Sequence, residues 1–243
     1  MKTKSCITSA KKQDKKNNRK KISVILIYHS YIYRMKFLGP TPLIEINNTK
    51  IIDLHIQTIQ NIFKDCEIVI AVGYGIQKIS NYIYNKYKNN NIRIVENVNY
   101  DTSNICETLR IAINNINNNN FLIVNGNIIF NYDIFNNFTF NKSETIVLQK
   151  YHKSNIDVGL NIDENNTVSH FAFGANYAWP EIIYIHSKDS DNIRQLLSNN
   201  NHYKNVFIFE LLNDIIKHKS IYIQEIIKNN NIRNIDSILN KIT

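Results

Sequence analysis

The stretch Ile22-Ser-Val-Ile-Leu-Ile-Tyr28 predicts a buried β-strand, because it is a continuous apolar run of strand length and strand composition. Similar runs follow at Glu67-Ile-Val-Ile-Ala-Val72, Ile92-Arg-Ile-Val95 and Phe121-Leu-Ile-Val124. Apolar and polar residues do not alternate along these runs, which is typical of strands that are covered on both faces. We therefore predict a sheet that is buried between two layers of helices.

The segments between these runs have helical periodicity. Residues 51–63 and 76–88 each place apolar side chains three or four positions apart, and a third helix is predicted from Thr102 or Ser103 to Ile116. Four strands that alternate with three helices indicate right-handed βαβ units and parallel pairing. The prediction is an α/β fold of the Rossmann-like, doubly wound type, with a mainly parallel (mixed) sheet flanked by helices.

Beyond residue 140 the predicted elements are shorter. The strands are predicted at 144–149, 157–162, 167–173, 181–186 and 220–226, and the helices near 189–198, near 205–217 and from 236. We expect these strands to extend the same sheet. Because the sequence shows neither a linker nor an internal repeat, residues 22–243 are predicted to form one domain behind an N-terminal tail at 1–21.

The basic charge of the chain is concentrated in that tail. The formal charge is +9, yet residues 1–21 hold nine of the 29 basic residues and one of the 20 acidic residues. The remaining chain therefore carries about +1, too little to favour a nucleic-acid-binding face. We expect a disordered tail that contacts polyanions weakly, without specificity and in a salt-dependent way, which leaves nucleic-acid binding as a third-ranked alternative.

Composition also excludes several other classes. No apolar stretch approaches the roughly 18 residues of a membrane span, and no secretion signal is visible. Cys6, Cys66 and Cys106 form no CxxC pair, so we predict reduced thiols in a reducing, cytoplasmic compartment. Asn and Ile make up about a third of the chain, which indicates an AT-rich coding sequence such as that of a large DNA virus, a parasite or an endosymbiont.

Candidate chemistry is expected in the loops that follow the first, third and fourth strands. Ligands of open parallel sheets bind at the carboxyl ends of the strands, near the point where the strand order reverses. These loops are predicted at 29–43, 96–104 and 125–130.

Five stretches, taken in chain order, match the motifs of one known family. They are Ile27-Tyr-His-Ser-Tyr-Ile-Tyr-Arg34-Met35 with Pro40-Thr-Pro-Leu43, Glu67-Ile-Val-Ile-Ala-Val-Gly-Tyr74, Tyr100-Asp-Thr-Ser-Asn104-Ile-Cys-Glu-Thr-Leu109, Phe121-Leu-Ile-Val-Asn-Gly-Asn127-Ile-Ile-Phe130 and Asn234-Ile-Asp236-Ser237. The similarity covers roughly residues 22–242, within which these stretches lie between Ile27 and Ser237. The chain thereby resembles the nucleotidyltransferases that join an NTP to a sugar phosphate or choline phosphate and release pyrophosphate.

This resemblance implies a nucleotide-diphospho-sugar-transferase type of fold, with an NTP and a small phosphorylated acceptor as partners. It implies catalytic roles for Arg34 and Asp236, with Arg34 neutralising charge on the leaving pyrophosphate. It also implies a magnesium ion held by Asp236 and by the residue at position 127, here Asn127. The nucleotide-binding residues that it implies are His29, Ser30, Arg34, Asn104 and Gly126.

The chain departs from the family pattern at four of these positions. The two glycines that let the family loop approach phosphate are Ser30 and Ile32, and the acceptor-side lysine is Thr41. At the position of the family's metal-binding aspartate this chain has Asn127. Loss of that carboxylate removes roughly several kcal/mol of attraction for a dication at an effective dielectric of about 20. An alternative is therefore a catalytically degenerate relative that binds a nucleotide or a protein partner without turnover.

Each motif residue also has a structural interpretation. Arg34 could be a solvated loop cation, and Asp236 could be only the N-cap of a short helix. Asn125-Gly126 is also a signal for a tight turn. Tyr28, Tyr31 and Tyr33 could stack on a base, but aromatic residues at the end of a strand are more often packing residues. The seven histidines lack metal-ligand spacing, so they are interpreted as structural or exposed.

Overall fold

The computed structural model describes residues 21–32, 36–88, 91–148, 158–199, 201–227 and 232–239. Its α-helices are α1 (Ile51–Ile62), α2 (Ile76–Lys86), α3 (Ile105–Ile113), α4 (Ser187–Asn199), α5 (Ile208–Ile216) and α6 (Ile235–Leu239). Its strands are β1 (Ser23–Tyr28), β2 (Glu45–Ile46), β3 (Thr49–Lys50), β4 (Glu67–Val72), β5 (Ile92–Glu96), β6 (Phe121–Asn125), β7 (Ile128–Phe130), β8 (Glu144–Leu148), β9 (Val158–Ile162), β10 (Val168–Phe173), β11 (Tyr177–Ala178), β12 (Ile182–Ile185), β13 (Tyr222–Ile227) and β14 (Ile232–Asn234).

The first half of the chain forms the predicted parallel sheet. Strands β5, β4, β1 and β6 lie side by side and pair in parallel, with Val24 of β1 opposite Ile68 on one side and Leu122 on the other. The prediction of βαβ units from the apolar runs is therefore confirmed.

The sheet is covered on both faces, as the apolar runs predicted. Along β1, Val24 and Leu26 pack in one core with the buried faces of α1 and α2. Ile25 and Ile27 point the other way, into a second core formed with α3, α4 and α5. Successive side chains of a strand point to opposite faces, so an all-apolar strand serves both cores at once.

The second half of the chain extends the same sheet and makes it mixed. The strand order is β10-β9-β11-β8-β12-β6-β1-β4-β5, and β13 pairs with β8 in parallel. Strand β12 runs antiparallel to both β6 and β8. The predicted mainly parallel, mixed sheet flanked by helices is confirmed.

A two-stranded sheet, which the sequence did not predict, carries the C-terminal segment back to the middle of the fold. Strand β14 pairs antiparallel with β7, placing Asn234 opposite Ile128. The N–H of Ile235 then donates to the carbonyl of Asn127 at 2.9 Å. The segment that contains Asp236 therefore lies beside the loop that follows β6.

Two of the three cysteines are buried free thiols, Cys66 and Cys106. Burial raises the pKa of both, that of Cys66 to about 12. Residues 1–20 of the basic tail, including Cys6, lie outside the described residues, so the tail's predicted contact with polyanions stays a prediction. No helix in the described segments is long and apolar enough to cross a membrane.

Candidate functional site

Two adjoining cavities open at the edge of the sheet where β1 and β6 end. The first has a volume of 170 Å³ and the second 260 Å³. Both are lined by Asn125, Asn127, Val158, Trp179 and Glu181. Because parallel strands present their carboxyl ends at one edge, this is where the sequence placed the chemistry.

The first cavity brings together four residues that the sequence singled out. Its lining includes His29 and Ser30 from the loop after β1, Asn104 from the start of α3 and Asn127 from the turn after β6. Arg34 belongs to the same loop as His29 but lies outside the described residues. The predicted convergence of these loops is therefore present, while the position of Arg34 remains a prediction.

His29 ties the loop after β1 to α3. A 2.7 Å hydrogen bond joins its Nδ1 to Oγ1 of Thr108, and Nδ2 of Asn97 donates to the same hydroxyl at 2.9 Å. Burial lowers the pKa of His29, and a hydrogen bond with the backbone of Ser103 opposes this shift. At neutral pH the ring is therefore uncharged, so it positions the loop and offers no positive charge to a ligand.

The loop after β1 does not reproduce the backbone of a glycine loop. The non-glycine residues with left-handed backbone in the described segments are Asn47, Asn48, Phe140, Asn166 and Glu181. Ser30 and Ile32, which occupy the two glycine positions of the family motif, therefore have ordinary backbone angles. Ile32 is buried in the core on the α1 side of the sheet, while Ser30 is exposed. Neither position therefore requires glycine for its backbone conformation.

Two helices begin at the first cavity. Asn104 is the N-cap of α3, since its Oδ1 accepts from the N–H of Ile105 at 2.7 Å, and Phe207 immediately precedes α5. Asn104, Ile105, Phe207 and Ile208 all line the cavity. A helix N-terminus carries roughly half a positive elementary charge, so these two termini give the wall a positive potential.

The turn that joins β6 to β7 is fixed by packing on both sides. The N–H of Gly126 donates to the carbonyl of Ile27 at 2.8 Å, and a Cβ on Gly126 would meet the ring of Tyr28 at 2.3 Å. Any larger residue would force β1 and the turn apart. Gly126 thus has a packing role in the tight turn, and its contact with a nucleotide stays a prediction.

A buried histidine supports this turn from behind. Nδ1 of His55 bonds with the hydroxyl of Tyr28 at 2.5 Å, and its Nε2 bonds with the carbonyl of Ile128 at 2.5 Å. Since the carbonyl can only accept, Nε2 carries the proton and Nδ1 accepts from Tyr28. Burial lowers the pKa of His55 to about 4, and the bond to Ile128 opposes that shift. The structural interpretation of this histidine therefore agrees with its contacts.

Glu181 supplies a carboxylate to both cavities. Because β12 runs antiparallel to β6, the residue before β12 lies beside the end of β6, where the N–H of Asn125 donates to the carbonyl of Glu181 at 3.2 Å. Nδ2 of Asn125 also donates to Oε2 of Glu181 at 2.7 Å. Oδ1 of Asn125 accepts from the N–H of Asn127 at 3.0 Å, so one amide orients both neighbours. Burial raises the pKa of Glu181, and the Asn125 bond opposes this shift.

The position of Asp236 follows from the backbone contacts of its neighbours. Asp236 is the second residue of α6, directly after Ile235, whose N–H bonds with Asn127. The side chain of Asp236 lies outside the described part of the chain. Its backbone is therefore brought to the turn after β6, and its role as a metal ligand stays a prediction.

The oxygen donors at this edge suit magnesium. The described residues contain no group of three His, Cys, Asp or Glu side chains that could hold a metal ion. The cavities instead offer the amide of Asn127 and the carboxylate of Glu181, and the backbone of Asp236 directly follows Ile235, whose N–H bonds with the carbonyl of Asn127. Magnesium prefers such hard oxygen ligands, at least one of them anionic, so the donor set is compatible with it.

A third, larger cleft of 660 Å³ lies between α4 and α5. Its carboxylate, Asp214, already accepts from the hydroxyl of Tyr203 at 2.6 Å and from Nζ of Lys217 at 2.6 Å. The negative charge of Asp214 is thus already compensated by Lys217 and by the hydroxyl of Tyr203. The two cavities at the end of β6 are therefore the better candidates for a functional site.

Similarity to solved structures identifies the architecture, whereas no protein-family model and no curated protein sequence matches the chain. The CTP:phosphocholine cytidylyltransferase from Streptococcus pneumoniae is 16% identical, with a TM-score of 0.74 over 91% of this chain and 96% of that one. The inositol-1-phosphate CTP transferase from T. maritima is 12% identical, with a TM-score of 0.73 over 88% of this chain and 89% of that one. The chain has the nucleotidyltransferase fold. The nucleoside-diphosphate-sugar pyrophosphorylase from Vibrio cholerae RC9 is similar too, at 12% identity and a TM-score of 0.68 over 90% of this chain and 98% of that one.

The nucleotidyltransferase fold agrees with the fold type that the motifs implied. At these identities the similarity shows the fold and leaves the roles of individual residues open. The motif matches and the structural matches nevertheless cover the same region, since both extend over nearly the whole chain.

Several residues of the cleft in this nucleotidyltransferase fold were missed by the sequence reasoning. Glu181 and Trp179 come from the segment before β12, and Phe207 and Phe209 from the start of α5. The two phenylalanine rings stack with their centroids 5.8 Å apart, and Phe209 contacts Phe173 edge-on. A signal for Phe207 and Phe209 was present, because both lie in the first turn of the helix predicted near 205–217. No signal in the sequence pointed to Glu181.

Proposed function

We propose that this protein transfers a nucleotidyl group from an NTP to a small phosphorylated acceptor, a sugar phosphate or choline phosphate, and releases pyrophosphate. The observation that carries the proposal is the cleft at the ends of β1 and β6 in a chain with the nucleotidyltransferase fold. It gathers His29, Ser30 and Asn104, from the nucleotide-binding motifs, with Asn127, from the metal-binding motif.

In this reaction a phosphate oxygen of the acceptor attacks the α-phosphorus of the NTP. A new P–O bond forms as the bond to the bridging oxygen breaks, and that oxygen leaves with the pyrophosphate. The chain contributes positioning and electrostatic stabilisation, which dominate catalysis of phosphoryl and nucleotidyl transfer. His29 holds the loop after β1 in place, and the N-termini of α3 and α5 favour the negative phosphates.

Arg34 is proposed to face the leaving pyrophosphate, whose charge its guanidinium would balance. Asp236 and Asn127 are proposed to hold magnesium. When bound, that ion would stabilise the charge that develops on the phosphate oxygens. The trio of exposed or half-buried phenylalanines at the mouth (Phe173, Phe207 and Phe209) would exclude water from the bound substrates.

The second candidate is a catalytically degenerate protein of the same fold, which binds a nucleotide or a protein partner without turnover. The observations that favour it are the amide at Asn127 and the ordinary backbone at Ser30 and Ile32. A neutral amide holds magnesium more weakly than a carboxylate, and the loop lacks the close backbone approach that glycines allow.

The experiment is pyrophosphate release by the purified protein with each of the NTPs, magnesium, and choline phosphate or sugar 1-phosphates as acceptors. Turnover is expected with one pair, and Arg34→Ala should reduce it by about 100-fold or more through loss of a charge at the leaving group. Lys64→Ala removes an exposed cation elsewhere and serves as the matched control. Absence of turnover with every pair would refute the enzyme, and NTP-dependent thermal stabilisation in that case would favour the second candidate.

A further inference from the structure

The carboxylate of Glu181 is the acidic group at the cleft. Among the described residues that line the two cavities, no other Asp or Glu is present. Glu181 lies where both cavities meet and shares this position with Asn127. Whatever anionic charge the described walls offer a ligand therefore comes from this side chain.

The carboxylate of Glu181 is held in place by one hydrogen bond, but its other oxygen is still able to bind a ligand. Oε2 accepts from Asn125 at 2.7 Å, whereas Oε1 has no hydrogen-bond partner within the described part of the chain. No described lysine, arginine or histidine forms an ion pair with Glu181. A part-buried carboxylate without a counter-charge is costly unless a cation or a donor completes it.

The backbone at Glu181 is strained, and a residue with a purely structural role would not need to accept that strain. Its φ is +54°, in the left-handed region where glycine is favoured. The carbonyl of Glu181 pairs with the N–H of Asn125 through the backbone, so a glycine would satisfy the fold equally well. Strained residues of this kind concentrate at ligand sites, because there the side chain is needed in spite of the strain.

Asn125 links this carboxylate to the position from which an acid is missing. Its Nδ2 contacts Glu181, and its Oδ1 contacts the N–H of Asn127. The family motif has an aspartate at position 127, where this chain has an amide. The carboxylate of Glu181 is therefore separated only by the side chain of Asn125 from position 127, where the family's carboxylate is missing.

We propose that Glu181 is the anionic ligand that the described walls of the two cavities supply to a divalent-cation site at Asn127, and that it replaces the charge of the missing aspartate. The inference deepens the proposed function, on which it rests for the cation's role in catalysis. Binding of the cation itself does not depend on turnover. The site takes a hard divalent cation, since all of its donors are oxygens.

The experiment measures binding of Mn²⁺ to the full chain by electron paramagnetic resonance of the free ion, with Mn²⁺ alone and with Mn²⁺ plus each NTP, after subtraction of the signal that the same NTP removes without protein. Wild type is expected to bind in at least one arm, and Glu181→Gln should weaken that binding by about tenfold or more, since one charge is lost beside a dication. The amide oxygen of the introduced glutamine would still accept from Asn125, so the fold is expected to persist. Glu164→Gln removes an exposed carboxylate and should bind as wild type does.

A carboxylate swap makes the experiment sharper. Asn127→Asp combined with Glu181→Gln should restore Mn²⁺ affinity to within about threefold of wild type, because the charge returns to the other side of Asn125. Glu181→Gly, which suits the left-handed backbone, should fold and lose binding as Glu181→Gln does. Binding unaffected by either Glu181 variant, or no Mn²⁺ binding by wild type in any arm, would overturn the inference. If Glu181-dependent binding occurs without pyrophosphate release, the cation site stands and the proposed function fails.

Discussion

Acidification from pH 7 to pH 5 should destabilise the folded protein through His55, the ring buried between Tyr28 and the carbonyl of Ile128. The pKa of His55 is about 4 in the folded protein, against 6.5 for an ordinary histidine. Between pH 6.5 and pH 4 the histidine binds a proton in the unfolded chain but stays mostly neutral in the folded protein. Stability is therefore complete above pH 6.5 and is lost as the pH falls from 6.5 towards 4.

The magnitude follows from these two pKa values. At pH 5 an unfolded histidine is almost fully protonated, whereas His55 in the folded protein is about one-tenth protonated. Linkage then gives a loss of about 2 kcal/mol between pH 7 and pH 5, rising to about 3 kcal/mol below pH 4. A loss of 2 kcal/mol is large beside the roughly 5–15 kcal/mol that stabilises a typical domain.

The assay is urea unfolding at pH 7 and pH 5, followed by circular dichroism, for wild type, His55→Gln and His218→Gln. His55→Gln lacks the titrating ring, so it should be less stable than wild type at pH 7 but should lose about 2 kcal/mol less on acidification. His218 is exposed, and its replacement should leave the pH dependence of wild type unchanged. Equal losses on acidification in wild type and His55→Gln would refute the buried neutral histidine.

Three further perturbations have defined outcomes. Gly126→Ala should lower the free energy of unfolding by about 1–3 kcal/mol in urea, because its Cβ would meet the ring of Tyr28 at 2.3 Å; an unchanged stability would contradict the packing role. Asn127→Asp, which restores the family carboxylate, should raise pyrophosphate release or Mn²⁺ affinity by about tenfold, and no gain in either would argue against a cation at this turn. Cys66 and Cys106 should resist a thiol reagent at pH 8 in the folded protein and react after unfolding in urea, because burial raises the pKa of both thiols; rapid labelling of folded protein would contradict their burial.

The architecture was accessible from sequence because its main signals are local. The run at 22–28 carries no alternation, so its burial on both faces could be inferred before its neighbours were known. The helical spacing at 51–63 and the apolar run at 67–72 are likewise complete within a few turns or residues, and the structure places elements at Ile51–Ile62 and Glu67–Val72. Such patterns reflect burial, because the spacing of apolar residues along a segment shows which of its faces are covered.

The candidate site was accessible only in part, since its geometry depends on long-range pairing. His29, Ser30, Asn104 and Asn127 could be grouped because each follows a parallel strand, and these strands end at one edge. Glu181 could not be grouped with them. It precedes β12, and the residues of β12 do not indicate that this strand pairs antiparallel with β6. Its left-handed backbone was equally hidden, because glutamate gives no local reason to expect it.

The pairing of β14 with β7 has a consequence for the timing of maturation. Residues 232–239 reach the turn after β6 from the far end of the chain, whereas the loops that carry His29 and Asn104 are synthesised much earlier. During translation the parallel half of the sheet can pair while this last segment is still unmade. A nascent chain can therefore pair its parallel strands first, but its core on the α1 side stays incomplete until Ile232, Ile235 and Leu239 are added, so the same last segment completes both that core and the cleft.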